Sequence, residues 1–159
     1  MVNVVITGGA GFLGARLARE LLAAGALDVA GGGARPLSQL TLIDRVPLPA
    51  DLAADGRVAG IRSDLGEPAG LTGAGRDAVT GADVIFHLAA AVSGECEADF
   101  DLGMRANLQA TEALLALCRA AGTNPVVVFS SSAAALGRPG RTQTVISRMA
   151  RPRTNPLRV

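Results

Sequence analysis

The run Val2-Asn3-Val4-Val5-Ile6-Thr7 is largely β-branched and halts at Gly8-Gly9, the pattern of a short strand buried on both faces. The period then changes. From Gly11 to Ala24, Leu13, Leu17, Ala18, Leu21 and Leu22 recur at helical spacing, Arg16, Arg19 and Glu20 fall between them, and Gly25 supplies a stop. Gly31 to Pro36 reads as a flexible connection, and Leu40-Thr41-Leu42-Ile43-Asp44 as a second strand ending in a carboxylate, which completes a βαβ unit. Arg57 to Ile61 predicts a third strand ending near Asp64, and Gly66 to Gly81 a segment holding a short helix. Asp83 to Leu88 predicts a fourth strand. A long helix over Asp99 to Ala121, carrying Met104, Leu108, Leu115 and Cys118, and a fifth strand over Pro125 to Ser130 follow. Strands alternating with helices predict an α/β fold: a Rossmann-type doubly wound parallel sheet with right-handed crossovers, truncated after the fifth strand.

Composition narrows this picture. The 159 residues allow one domain with one core and leave no room for a separate catalytic domain. Aromatics are 3%, so the core is aliphatic. All 15 basic residues are Arg, and neither Tyr nor Lys occurs. Residues 1–137 hold 9 Arg against 14 acids, while residues 138–159 hold 6 Arg and no acid. This division predicts a folded domain over 1–137 and an Arg-rich, disordered tail over 138–159, with a basic arm docking on a partner as the alternative. An Arg excess confined to a tail, without aromatic interleaving, argues against nucleic-acid binding. Cys96 and Cys118 lack the spacing of a disulfide framework or zinc site, and no secretory leader or long apolar run is visible. A soluble, cytoplasmic protein without membrane or metal is the expectation.

The candidate chemistry begins at Gly8-Gly9-Ala10-Gly11-Phe12-Leu13-Gly14, which holds both G-x-G-x-x-G and Gly8-x-x-Gly11-x-x-Gly14. Between a strand and a helix this motif binds a dinucleotide: glycines allow the tight turn, the approach of a pyrophosphate, and close packing of helix on strand. The helix start then offers N–H donors and the positive end of its dipole. Asp44 is the expected acceptor for ribose hydroxyls, favouring NAD over NADP, although Arg45 beside it could pair with a 2′-phosphate. His87 reads as a satisfied core histidine, and Glu95, Glu97, Asp99 and Asp101 as acids near a helix start rather than a metal patch.

Thr7 to Gly14, His87-Leu88-Ala89-Ala90, Asn107 within Arg105 to Thr111, and Phe129-Ser130-Ser131-Ser132 occur in that order. Together they resemble the extended short-chain dehydrogenase/reductase superfamily, in its NAD-dependent epimerase/dehydratase group. Asp99 to Met104 and the Leu40 to Asp44 strand look most like its D-erythronate dehydrogenase branch. The resemblance implies NAD lying across the strand ends, with Gly8, Gly11, Phe12, Leu13 and Gly14 at the pyrophosphate and Asp44 on the adenosine ribose. It further implies Asp64 and Leu65 beside the adenine, and Leu88, Ala89 and Ala90 beside the nicotinamide ribose. Asn107 matches the helix Asn that positions a proton-relay water, and Ser132 the serine that hydrogen-bonds the substrate oxygen. In full-length relatives the implied substrate is a small sugar acid, and homo-oligomers are expected.

One departure limits the inference. The family reaction uses a Tyr as acid/base, and a Tyr with a pKa of about 10 needs a nearby Lys to act near neutral pH. Around Pro156, where the resemblance would place that Tyr, the chain has neither residue. The chain alone is therefore expected to bind NAD without turnover. A non-catalytic sensing module or a nonfunctional truncated product are the alternatives.

Overall fold

The computed structural model describes residues 1–67 and 70–132, together with the backbone of 157–158. The first strand, β1 (Val2–Thr7), lies at the centre of the sheet between two parallel neighbours, β3 (Ala34–Asp44) and β5 (Val84–His87). Outside these lie β4 (Val58–Arg62) beside β3 and β6 (Val126–Phe129) beside β5, both parallel. Their C-terminal ends therefore share one edge of the sheet, where loops can collect around a ligand.

Alternation along the strands assigns side chains to two cores. Val2, Val4 and Ile6 of β1, with Leu40, Leu42, Val84 and Phe86, pack on Ala15, Ala18 and Leu21 of α1 (Phe12–Ala24). On the other face Val5, Ile43 and Ile85 meet Val79 of α3 (Gly73–Thr80) and Ala110, Leu114 and Cys118 of a later helix. A short α2 (Ala50–Ala53) precedes β4. The fold is α/β and Rossmann-like, with helices on both faces of its sheet.

The sheet, and the buried face of the long helix, differ from the sequence expectation. The sheet is mixed and does not stop at five strands. β2 (Ala26–Asp28) runs antiparallel to the first three residues of β3, pairing Ala26 with Pro36 and Asp28 with Ala34. Gly31 and Gly33 take φ of 76° and 92° in the intervening turn, and the Gly33 N–H donates to the buried Asp28 carboxylate at 3.0 Å. The glycines that suggested a loose linker thus build a hairpin. The backbone of β7 (Leu157–Arg158) pairs parallel with β2. The rest of the expected tail, residues 138–156 and residue 159, lies outside the described residues.

The long helix is present, with a change of period inside it that corrects which side chains it buries. After a short α4 (Ser93–Ala98), one continuous helical run comprises α5 (Phe100–Gly103), a π-helical stretch over Met104–Gln109, and α6 (Ala110–Ala121). A π turn holds an extra residue, so the apolar stripe cannot be extended through it at one period. Leu108 and Leu115 accordingly face solvent, while Ala110, Leu114 and Cys118 carry the packing. The π stretch also carries Asn107 and directs Thr111 toward β5.

His87, at the end of β5, is 1% exposed, and both ring nitrogens have partners. Its Nδ1 lies 2.7 Å from the Thr7 Oγ1 and its Nε2 3.0 Å from the Thr111 Oγ1. The Thr111 hydroxyl donates its one proton to the Asn107 carbonyl at 2.8 Å, so it accepts from Nε2–H. Nδ1 is then the acceptor for the Thr7 hydroxyl, whose oxygen accepts the Ala89 N–H at 3.2 Å. This directed chain ties β1, the loop after β5 and the π stretch together through a neutral imidazole.

Burial lowers the His87 pKa from its usual 6.5. The unfolded chain consequently binds a proton more readily than the native protein. The stability contributed by neutral His87 is full above pH 6.5, declines as pH falls from 6.5 through the lowered native value, and is level below it. Asp55, held to about 2 by its hydrogen bond from Arg57, titrates well below the start of this decline. Urea unfolding between pH 7.5 and 5 is expected to show falling stability, with a shallower slope in His87→Gln. Equal slopes in the two proteins would contradict the assignment.

Candidate functional site

At the exit of β1 the chain turns sharply. The N–H groups of Gly8 and Gly9 both donate to the Ile43 carbonyl, at 2.8 and 3.3 Å, anchoring the turn to β3. Gly11 N–H donates back to the Gly8 carbonyl at 3.1 Å, and Ala15 N–H opens the helical ladder on the Gly11 carbonyl at 2.9 Å. The glycines here have different tasks. A Cβ at Gly14 would sit 2.1 Å from the Gly8 oxygen, and one at Gly9 2.7 Å from the Leu42 Cβ, so these two permit helix and strand to pack. A Cβ at Gly8 would meet the Ala89 nitrogen at 2.9 Å. Gly11 is less crowded, its nearest contact being the Gly8 oxygen at 3.3 Å, so its small size keeps space open at the helix start.

That start lacks a cap. Gly11 offers no side chain, the first turn of α1 has no acid, and the N–H groups of Phe12, Leu13 and Gly14 meet no acceptor among the described residues. Phe12 is 83% exposed and Leu13 61%, so both residues border solvent. Unpaired donors at the positive end of a helix dipole form an anion site, here next to the space kept by Gly11.

Asp44 closes one side. Its Oδ2 accepts the Ala10 N–H at 2.9 Å and its Oδ1 the Val46 N–H at 3.1 Å, which fixes the carboxylate beside the glycine turn and leaves lone pairs for further donors. Gly8, Gly11, Asp44, Asp64, Leu65, Leu88, Ala89 and Ala90 line one cleft of about 190 Å³. Asp64 also accepts the Gly66 N–H at 2.9 Å, setting the turn after β4. A second cleft, of about 790 Å³, is lined by Leu13, Leu88, Ala89, Ala90, Asn107 and Ser132, among others. The two share the wall Leu88 to Ala91 and together form a trough along the strand ends. Of the expected residues, Phe12 and Gly14 line neither cleft: Gly14 serves packing, and Phe12 presents its backbone at the helix start.

Asn107 clamps that shared wall. Its Oδ1 accepts the Ala91 N–H at 2.8 Å, its Nδ2 donates to the Ala91 carbonyl at 3.1 Å, and Nδ2 also lies 3.4 Å from the Cys96 Sγ. Ser132 stands across the larger cleft, beyond Ser130, whose hydroxyl donates to the His87 carbonyl at 3.3 Å. The nearby acids have structural tasks. Glu95 accepts the Val92 N–H at 3.1 Å, and Asp99 accepts the Leu102 N–H at 2.9 Å. Among the described residues no group of three or more His, Cys, Asp or Glu side chains could hold a metal ion, and no helix is long and apolar enough to cross a membrane.

Sequence reasoning missed Thr7, Gly9, Ala91 and Thr111. Gly9 stood in the motif, but its constraint comes from Leu42 on another strand. Thr7 and Thr111 carried a faint signal, each being a hydroxyl beside a recognised motif, yet only the fold brings both to His87.

A trough with glycine-made space, helix-end donors and a carboxylate at a neighbouring strand end fits a dinucleotide, and these features fit NAD. Comparison with known proteins agrees. The family model for the NAD dependent epimerase/dehydratase family matches residues 4–156. The chain is 53% identical over 136 residues to D-erythronate dehydrogenase of Cupriavidus necator, covering 86% of this chain and 40% of that protein. The crystal structure of a nucleoside-diphosphate-sugar epimerase from Agrobacterium tumefaciens is similar with a TM-score of 0.70 and 38% identity, over 87% of this chain and 39% of that one. MoeE5, solved with UDP-glucuronic acid and NAD, is similar with a TM-score of 0.60 and 32% identity, over 82% and 36%. The chain thus spans about two fifths of the length of the relatives it matches. With its motifs, fold and family match in agreement, the chain belongs to the NAD dependent epimerase/dehydratase family.

Proposed function

We propose that this chain is the NAD-holding portion of a sugar-acid dehydrogenase, whose full-length relatives oxidise a hydroxyl of a small acid such as D-erythronate. The observation that carries the cofactor reading is the uncapped start of α1 facing the space left by Gly11, with Asp44 fixed beside it. Similarity to D-erythronate dehydrogenase supports the substrate class.

The residues divide the work as follows. Backbone N–H groups at Phe12, Leu13 and Gly14 receive the pyrophosphate, and Gly8 and Gly11 leave it room. Asp44 accepts ribose hydroxyls and disfavours a 2′-phosphate. Asp64 and Leu65 border the adenine, and Leu88, Ala89 and Ala90 the nicotinamide ribose. NAD, when bound, supplies a hydride acceptor. Ser132 orients the substrate oxygen. Asn107 keeps the shared wall in place, and its Oδ1 retains a lone pair on which a relay water can be held.

Proton removal is the step for which this chain has no suited group. Its sequence has no Tyr and no Lys, and general acid/base assistance is typically worth about 10²- to 10⁴-fold. Binding without turnover is therefore the reading for this chain by itself.

Two outcomes test the proposal. Gly11→Val is expected to abolish NAD binding in calorimetry while the circular dichroism melt stays cooperative with only a small shift, because the branched side chain fills the pyrophosphate space and its Cβ crowds only the Gly8 oxygen, at 3.3 Å. Wild-type affinity in this variant would place the cofactor elsewhere. The purified chain, assayed by NADH absorbance with D-erythronate at saturating NAD, is expected to show no turnover. Rates on the order of 1 s⁻¹, lost in Ser132→Ala, would mean that another base operates.

A further inference from the structure

Arg45 follows Asp44 directly and lines the smaller cleft with it. A guanidinium at this place is suited to pair with the 2′-phosphate of NADP, which would oppose the discrimination expected from Asp44. Its Nη2, however, lies 3.6 Å from Oε1 of Glu95, which is 50 residues away in sequence. Glu95 belongs to α4, the helix after β5, and Arg45 to the loop after β3; β1 separates these two strands in the sheet. The ion pair thus links the two halves of the trough. Glu95 is itself held, because its other oxygen accepts the Val92 N–H at 3.1 Å.

We infer that Glu95 is a cofactor-selectivity residue: it engages Arg45 and, as a second carboxylate near the ribose end of the cleft, keeps that guanidinium from serving a 2′-phosphate. The inference rests on the cofactor reading given above. Its physical basis is charge. A guanidinium paired with a carboxylate presents little net positive charge to an incoming phosphate, and the pair must open before a new bidentate contact can form. Whatever Arg45 touches from this position is also within about a Debye length of Glu95, roughly 8 Å at physiological salt, so the carboxylate repels the phosphate as well. NAD has only hydroxyls there and is affected by neither term. Selectivity of this kind raises the cost of the wrong ligand and leaves the right one alone.

The pair is half exposed, at 57% and 44% for the two side chains, so its effect is modest. Glu95→Gln removes the charge but keeps an acceptor for the Val92 N–H, preserving the start of α4. Calorimetric titration of the full chain with NAD and with NADP is the test, in wild type, Glu95→Gln, Arg45→Gln and the double variant. The expected result is NADP binding about three- to five-fold tighter in Glu95→Gln, with NAD affinity unchanged from wild type. In the Arg45→Gln background, adding Glu95→Gln should change NADP affinity much less, because the freed cation is missing. The NADP gain in the single variant should also shrink as salt rises.

Unchanged NADP affinity in Glu95→Gln, while NAD still binds, would overturn this inference and leave the cofactor reading standing. An equal gain with and without Arg45 would also overturn it, since Arg45 would then have no part. Failure of wild type to bind either dinucleotide would overturn the cofactor reading and this inference together.

Discussion

The start of α1 lies against the end of β1 with no room for a methyl group, and this contact sets the geometry of the trough. Gly14 brings the first turn onto the Gly8 carbonyl, where a Cβ would be 2.1 Å away. Gly9 lets the same turn settle on Leu42, and Gly8 lets it approach the backbone of Ala89. A turn this close is anchored to β3 through Ile43 and Asp44, and to the loop after β5 through Thr7. The uncapped N–H groups, the Asp44 carboxylate and the Leu88 to Ala91 wall are therefore positioned by one packing arrangement. A substitution that pushed the helix away would disturb all three together.

The loop after β5 has a second support. His87, buried at the strand end, connects Thr7 to Thr111, while Asn107 binds Ala91 through both its amide oxygen and its nitrogen. Both helix-side partners come from the π stretch or the residues just after it, where the change of helical register turns them toward the strand ends. Polar groups in this part of the protein do structural work at the edge of a binding trough. A directed hydrogen-bond chain with satisfied ends rigidifies such an edge at little cost.

Much of this was legible in the sequence, for identifiable reasons. Val2 to Thr7 followed by Gly8-Gly9 announces a buried strand and turn, because both signals are local. Asp44 was readable for the same reason, standing at the end of an apolar run. The β2–β3 hairpin was not, since Gly31 to Pro36 has the composition of a linker and gains its structure from Asp28 and from pairing across the turn. The long helix was legible but its buried face was not, because hydrophobic spacing assumes one period and the π stretch breaks it between Met104 and Gln109, leaving Leu108 and Leu115 exposed. The Arg45–Glu95 pair was beyond reach, as it joins the loop after β3 to the helix after β5, two strands that are not neighbours in the sheet. Where function depends on contacts between distant segments, the residue types are visible in sequence but their partners are not.

The central claim is that one ligand, NAD, lies along the trough from Asp44 past the start of α1 to the Leu88 to Ala91 wall. Titrating ¹⁵N-labelled chain with NAD and following the backbone amides tests this directly. The account predicts saturable shifts at the amides of Gly8, Gly11 to Gly14, Val46 and Ala89 to Ala91, with little change at the β2–β3 hairpin. Saturable binding that leaves the Gly11 to Gly14 amides unmoved, or no binding at millimolar NAD, would contradict it.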